Sequence, residues 1–432
     1  MKIVHIIPGT GGAFYCENCV KDGSLVKALR QLGNQVTMIP MYLPLTDDEP
    51  DISGNTPIFF GAVNVYLQEK YPFLLHAPHW LNQLLDSPAL LKFAASKAGS
   101  TRASGLEEMT LSMLRGEAGN QQTQLEQLVT WLKDEVQPDV VYLANAFLLG
   151  LARRIKQELH VPVVCALQDE DTWIQTMQEN YVPLVWATLA ERAQDVDAFV
   201  PVSQYYANII ANPLRIPPEK LQVVPIGINL EGYEPAPLTF DPPVIGFLSR
   251  MSESLGLGTL VEAFIKLKQD ERLQSLKLHI TGGHTADDQP FLDQIKTRLA
   301  AEQFLGDVKF FSDFDKNHRV EFLQSLTVMS VPMKCGEAFG IFQIEALAAG
   351  VPVVQPKIGA FPEIIEATGG GLIYEPNTVD ALTEALASLL LNPPLTRTLG
   401  QKGLQAVTER FTNEYMAKQL LAVYENVVDK NL

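Results

Sequence analysis

The stretch Cys335-Gly336-Glu337-Ala338-Phe339-Gly340-Ile341-Phe342-Gln343-Ile344-Glu345-Ala346-Leu347-Ala348-Ala349-Gly350-Val351-Pro352-Val353-Val354 decides the fold. It reads as a glycine loop, a helix and a strand. The run before it, 327–332 (TVMSVP), is short, apolar and β-prone, as a buried strand should be. Gly336 and Gly340 permit backbone conformations that a side chain would block. Residues 342–349 are good helix material, and Gly350 and Pro352 end it. A helix start favours an anionic group through its N–H donors and its dipole. Glu337 and Glu345, with seven residues between them, can accept hydrogen bonds from hydroxyls. An anionic centre with hydroxyls at either end describes a nucleotide sugar. Glu337 belongs at the reacting end and Glu345 at a ribose diol.

The segment EAFGIFQIEALAAGVPVV resembles the E-x7-E segment of family 4 retaining glycosyltransferases. That resemblance implies a GT-B fold: α/β, with two Rossmann-like, doubly wound parallel-sheet domains facing across a cleft. The donor nucleotide is then expected mainly in the C-terminal domain. The match is strong in the C-terminal half of the chain and weaker in the first half.

Outward from that segment the chain alternates strand and helix. Strand-like runs at 2–7, 35–40, 139–143, 162–167 and 198–202 are separated by helical patterns, including 22–32. A second series begins with VIGFLSR after Pro243, then LKLHITGG at 276–283 and VKFFSDF at 308–314. The proline-rich run Glu231–Pro243 lies between the two series and reads as a linker. The expected domains are 1–235 on the acceptor side and 243–410 for the nucleotide sugar. By resemblance, the last helical segment, within 411–432, crosses back onto the first domain.

Composition bounds the function classes. With 432 residues, 47% apolar and 19% charged, the chain is globular and long enough for two domains. A net charge of −17 argues against nucleic acid and against broad adhesion to anionic membranes. No apolar run approaches the roughly 20 residues that span a bilayer. The start MKIVHIIPGTGG is a strand running into a glycine loop, not a secretory signal. Four cysteines give no disulfide framework, so the expected location is cytoplasmic. The apolar, proline-broken segment within 71–125 is expected to pack as core and loop. A lid, or a weak peripheral membrane contact, is the alternative for it.

Several further positions are candidates. Arg250 ends the first strand of the second series, where a ligand of an open α/β sheet sits. Its guanidinium can neutralise a diphosphate leaving group. The position resembles the arginine of the family's G-R-L-x-x-x-K-G segment, but the lysine of that pattern is Leu255 here. Lys334 and Lys357 are candidates to replace it. Gly11 and Gly12 resemble the family's N-terminal glycine loop. Gly282 lies at a strand-end turn near the expected nucleotide. Gln168 stands where the family usually carries a histidine that contacts the transferred sugar; glutamine hydrogen-bonds but does not titrate. The neighbouring acids Asp169, Glu170 and Asp171 are candidates for a base, or for a solvated turn. Cys16 and Cys19 form a C-x-x-C pair without a second pair, so a packed pair is favoured over a metal or redox site.

The expectation is a metal-independent, retaining glycosyltransferase with no cofactor. It would use a UDP- or GDP-linked sugar and a saccharide, lipid or small-molecule acceptor. Glu337, Arg250 and Gln168 are its candidate catalytic residues. Gly11, Gly12, Gly282, Ala338, Phe339, Gly340, Ile341 and Glu345 join Glu337 and Arg250 as candidate donor-binding residues. The departures at Leu255 and Gln168 motivate an alternative, a nucleotide-sugar-binding protein with weak or no transfer.

Overall fold

The structure, a computed structural model, describes residues 1–8, 17–42, 59–60 and 105–431. The glycine loop with Gly11 and Gly12, Cys16, and the apolar stretch 71–104 lie outside those residues. The chain divides into two compact units. One is built from most of the chain up to Pro225 together with Met416 onward; the other runs from Ile226 to Tyr415. Within the second unit, Ile228 bridges to Thr412 and the Ala236 N–H donates to the Ala349 carbonyl. Residues 226–235, expected in the first domain, therefore pack with the second unit.

The first unit holds a five-stranded parallel sheet in the order β2-β1-β3-β4-β5. Its strands are β1 (Lys2–Ile7), β2 (Gln35–Pro40), β3 (Val140–Leu143), β4 (Val163–Leu167) and β5 (Ala198–Pro201). Every residue of β3, β4 and β5 is buried. This is why the runs VVYL and VVCAL lack polar alternation: helices cover both faces of a parallel sheet. The helix Glu17–Gln31 follows β1 and ends before Gly33, whose φ of +85° closes the turn into β2. The C-terminal helix Asn413–Asn431 packs here, with Tyr424 edge-on to Tyr142 at 6.1 Å between ring centres.

The second unit carries a six-stranded parallel sheet in the order β11-β10-β9-β6-β7-β8. Its strands are β6 (Val244–Leu248), β7 (Lys277–Thr281), β8 (Val308–Phe310), β9 (Val328–Met329), β10 (Val353–Pro356) and β11 (Gly371–Tyr374). The chain builds outward from β6 in one direction, then returns to lay β9 on its other side. Ligands of open α/β sheets bind outside the carboxyl ends of the strands at such a reversal. The reversal falls between β6 and β9, which are paired at Ile245–Val328.

Candidate donor site and its surroundings

Both sides of that reversal in the second unit carry candidate residues. On the β6 side, Arg250 follows the strand end. Its Nε donates to Asp288 Oδ2 at 2.8 Å, and Nη2 donates to Asp288 Oδ1 at 3.1 Å and to the Thr285 hydroxyl at 3.0 Å. This bidentate pair fixes the guanidinium plane. Burial pushes the Asp288 carboxyl up, but Arg250 and the N–H and hydroxyl of Thr285 outweigh it, leaving it below its usual value. Gly282 is required at its place: its φ is +121°, and a Cβ there would lie 2.2 Å from the Ser249 carbonyl oxygen. The end of β7 thereby packs directly against the backbone beside Arg250.

On the β9 side the chain leaves the sheet and reaches the helix Ile341–Ala348 through Cys335–Gly340. Gly340 caps the helix at φ +87°. Ala338, Phe339 and Ile341 are buried, so their side chains are core and only their backbones can face a ligand. Glu337 is half-buried. Its carbonyl accepts from the Ala360 N–H at 3.0 Å, and a Cβ on Gly359 would come within 2.4 Å of its nitrogen. The turn after β10 thus cradles the backbone of Glu337.

The two loops are tied together. A Cβ on Gly256 would sit 1.8 Å from the Pro332 carbonyl oxygen, and the Lys334 N–H donates to the Ser254 carbonyl at 3.1 Å. Lys334 Nζ pairs with Glu253 at 2.8 Å, and Lys357 Nζ pairs with Glu375 at 2.9 Å. Both lysines sit in exposed ion pairs. Leu255, in the loop after Arg250, is half-buried.

Glu345, expected at a ribose diol, is enclosed by protein groups. It is 1% exposed. Its Oε1 accepts from Arg319 Nε at 3.0 Å and from the Tyr233 hydroxyl at 2.5 Å. Arg319 is itself buried and donates from Nη1 to the Phe314 carbonyl at 2.9 Å. Sequence reading missed both partners.

In the first unit, Gln168 follows β4 and is buried. Its Oε1 accepts from Lys21 Nζ at 2.6 Å. Lys21 is buried and lies 3.4 Å from Asp22 Oδ1. His5 Nε2 is 3.8 Å from the same oxygen, and among the described residues neither nitrogen of its ring has a hydrogen-bond partner. Burial, then the charge of Lys21, lowers the His5 pKa to about 3, so the ring is neutral. Burial raises the Asp22 carboxyl, against the pull of Lys21.

The acidic run after Gln168 is not a uniformly solvated turn. Asp169 and Asp171 are half-buried, but Glu170 is fully buried. Its Oε1 accepts from the Ala146 N–H at 3.0 Å, and its Oε2 accepts from the Gln168 N–H at 2.8 Å and the Tyr206 hydroxyl at 2.7 Å. Burial pushes its pKa up to about 7 despite these bonds. Glu170 ties together the segments that follow β3 and β4.

A shallow cavity lined by Lys2, Gln35, Thr37 and Trp131 lies at the amino ends of β1 and β2, opposite the ligand end of that sheet. Among the described residues, no cluster of His, Cys, Asp and Glu has a metal-binding arrangement, and no helix is long and apolar enough to cross a membrane.

Two parallel α/β units with reversed strand orders define the GT-B class, and solved structures share the fold. A sucrose-phosphate synthase from Thermosynechococcus elongatus matches over 99% of each chain with a TM-score of 0.71 at 18% identity. Anabaena HepE, solved with UDP and glucose, matches over 98% of this chain and 99% of its own with a TM-score of 0.67 at 15% identity. In sequence, residues 112–231 match the model "Glycosyltransferase Family 4", and residues 234–406 match "Glycosyl transferases group 1". The chain belongs to this glycosyltransferase family. It is 28% identical over 240 residues to an MMP alpha-(1->4)-mannosyltransferase of Mycolicibacterium hassiacum, covering 55% of this chain and 56% of that one. The chain spans a little over half the length of the curated relatives it matches.

Proposed function

We propose that this chain transfers a sugar from a nucleotide-diphosphate donor, UDP- or GDP-linked, to a saccharide, lipid or small-molecule acceptor, with retention and without a metal ion or cofactor. The observation that carries the reading is the reversal between β6 and β9. Arg250, oriented by Asp288, lies on one side, and the Glu337–Gly340 loop leading into a helix start lies on the other. This juxtaposes a cation and a helix dipole with a carboxylate, as a diphosphate bearing a sugar needs. In the reaction, the bond from the anomeric carbon to the phosphate oxygen breaks. The acceptor oxygen bonds to that carbon on the same face, and its proton passes to the leaving phosphate. Arg250 offsets the charge that develops on the leaving group. Glu337 orients sugar hydroxyls. Gln168 hydrogen-bonds the sugar or the departing oxygen. The partners in this reading are the nucleotide-sugar donor and that acceptor, and the working location is the cytoplasm.

Specific observations favour a second reading, donor binding with weak transfer. Leu255 brings no charge, Lys334 is already paired with Glu253, and Arg250 is already paired with Asp288. Incubation with a panel of nucleotide sugars, with and without cell extract as acceptor source, separates the readings. Transfer predicts thermal stabilisation by one donor and release of its nucleoside diphosphate. Stabilisation without release under every acceptor selects the binding reading, and no stabilisation by any donor eliminates both.

A further inference from the structure

The buried lysine of the first unit has no part in the chemistry above. We propose that Lys21 is a positioning residue. It holds Gln168 so that the amide N–H, and not the carbonyl, faces a ligand at the carboxyl end of the first unit's strands.

The orientation follows from donor chemistry. An ammonium group donates hydrogen bonds and accepts none. Its contact with Gln168 at 2.6 Å, both side chains buried, therefore fixes which branch of the amide is the carbonyl. The other branch, the NH₂, makes no hydrogen bond to a described residue. The residue is held at its backbone as well, because its N–H is bound by Glu170, which Ala146 N and Tyr206 OH hold in turn. Gln168 is thus pinned at main chain and carbonyl, and its NH₂ branch is the one turned away from Lys21.

Lys21 is costly where it stands. Burying an ammonium costs several kcal/mol, and a nearby carboxylate repays it only with good geometry. Here Asp22 stands at 3.4 Å, and its Oδ1 has no hydrogen-bond partner among the described residues. Replacing Lys21 and Asp22 together by uncharged side chains of similar size is often neutral for a fold or stabilises it. What Lys21 adds is the polarity of Gln168.

The ligand atom that meets Gln168 must then offer a lone pair, as a sugar hydroxyl or a phosphate oxygen does. A role as general base is closed, since an amide does not titrate, and its carbonyl already faces Lys21. The identity of the ligand rests on the sugar-transfer reading; the orientation of the amide does not.

Two measurements test this. In protein labelled with ¹⁵N-glutamine, the Gln168 NH₂ pair is the one absent from Gln168→Leu. We expect it at shifts distinct from free glutamine in the wild type, and near free-glutamine values in Lys21→Met/Asp22→Asn. The double variant removes both charges, so no lone buried ion destabilises it. Superimposable Gln168 signals in the two proteins overturn the proposal. In donor turnover with UDP-glucose and GDP-mannose, the double variant should lose about tenfold or more in kcat with KM for the donor nearly unchanged. Gln168→Glu keeps an oxygen for Lys21 but faces the ligand with a lone pair, and should lose about a hundredfold. Wild-type turnover by Gln168→Glu also overturns the proposal. A wild type that turns over no donor defeats the sugar-transfer reading, and the NMR comparison then still decides the orientation.

Discussion

Arg319 Nε donates to Glu345 Oε1 over 3.0 Å, with both side chains almost wholly out of water. Removing one partner of a buried ion pair strands the other, which typically costs about 3–5 kcal/mol. Arg319→Met should therefore lower unfolding stability by about that much in urea titration. Arg319→Met/Glu345→Gln should recover most of it, because no lone charge remains. A loss under about 1 kcal/mol in the single variant would show that the pair is not held as described.

Gly359 has a φ of +58°, and a Cβ there would press on the Glu337 backbone at 2.4 and 2.6 Å. Gly33 has a φ of +85° with nothing near its Cβ position. Gly33→Ala should cost only the backbone strain, about 1 kcal/mol. Gly359→Ala should cost more and should also weaken nucleotide-sugar binding by displacing Glu337. Equal stability losses with unchanged binding would refute the cradle.

His5 makes stability depend on pH. Its neutral form is kept in the fold, with a pKa near 3 against 6.5 in the unfolded chain. The unfolded state then takes up the proton first, so stability is lost as pH falls from 6.5 towards 3. At pH 5 the loss is about 2 kcal/mol. Glu170, raised to about 7, acts oppositely: its stabilising protonated form is lost as pH rises from 4.5 through 7. The two nearly cancel between pH 4.5 and 6.5. His5→Phe removes the first contribution and leaves that of Glu170, so its stability should rise as pH drops from 7 to 5. Chemical denaturation of both proteins at pH 5 and 7.5 checks this; parallel profiles would contradict it.

Cys335 is exposed two residues before Glu337, whereas Cys165 is buried with its thiol pushed well up, first by burial and then by Glu170. Brief maleimide treatment followed by peptide mapping should modify Cys335 and spare Cys165. Bulky modification at Cys335 should block donor binding, and a bound nucleotide sugar should slow the reaction. Full donor affinity after complete modification would place the donor elsewhere.

The sheets were legible because parallel strands are continuous apolar runs. The spans read at 2–7 and 35–40 match β1 and β2, and those at 139–143, 162–167 and 198–202 differ from β3–β5 by one residue at an end. The strand read at 327–332 was too long, since only Val328 and Met329 pair in the sheet before the chain turns to the site loop. Residues that meet a partner far along the chain were not legible. Arg250 finds Asp288 across 38 residues, Glu345 finds Tyr233 across 112, and Gln168 finds Lys21 across 147. Local pattern also gave no sign of the burial of Glu345, because every residue of the helix Ile341–Ala348 is buried and no polar face marks the environment of the acid. In the Asp169-Glu170-Asp171 run, identical chemistry concealed one fully buried carboxylate between two half-buried ones.

The interior ion pairs also set how the protein responds to ionic strength. Mobile ions screen charges at the surface over about 10 Å at 0.1 M salt, but they do not enter a packed core. A chain with seventeen surplus negative charges gains from that screening, since its surface repels itself. Lys21 with Asp22, and Arg319 with Glu345, lie beyond its reach. Added salt should relax the shell of this molecule while leaving the attachments of Gln168 and Glu345 intact.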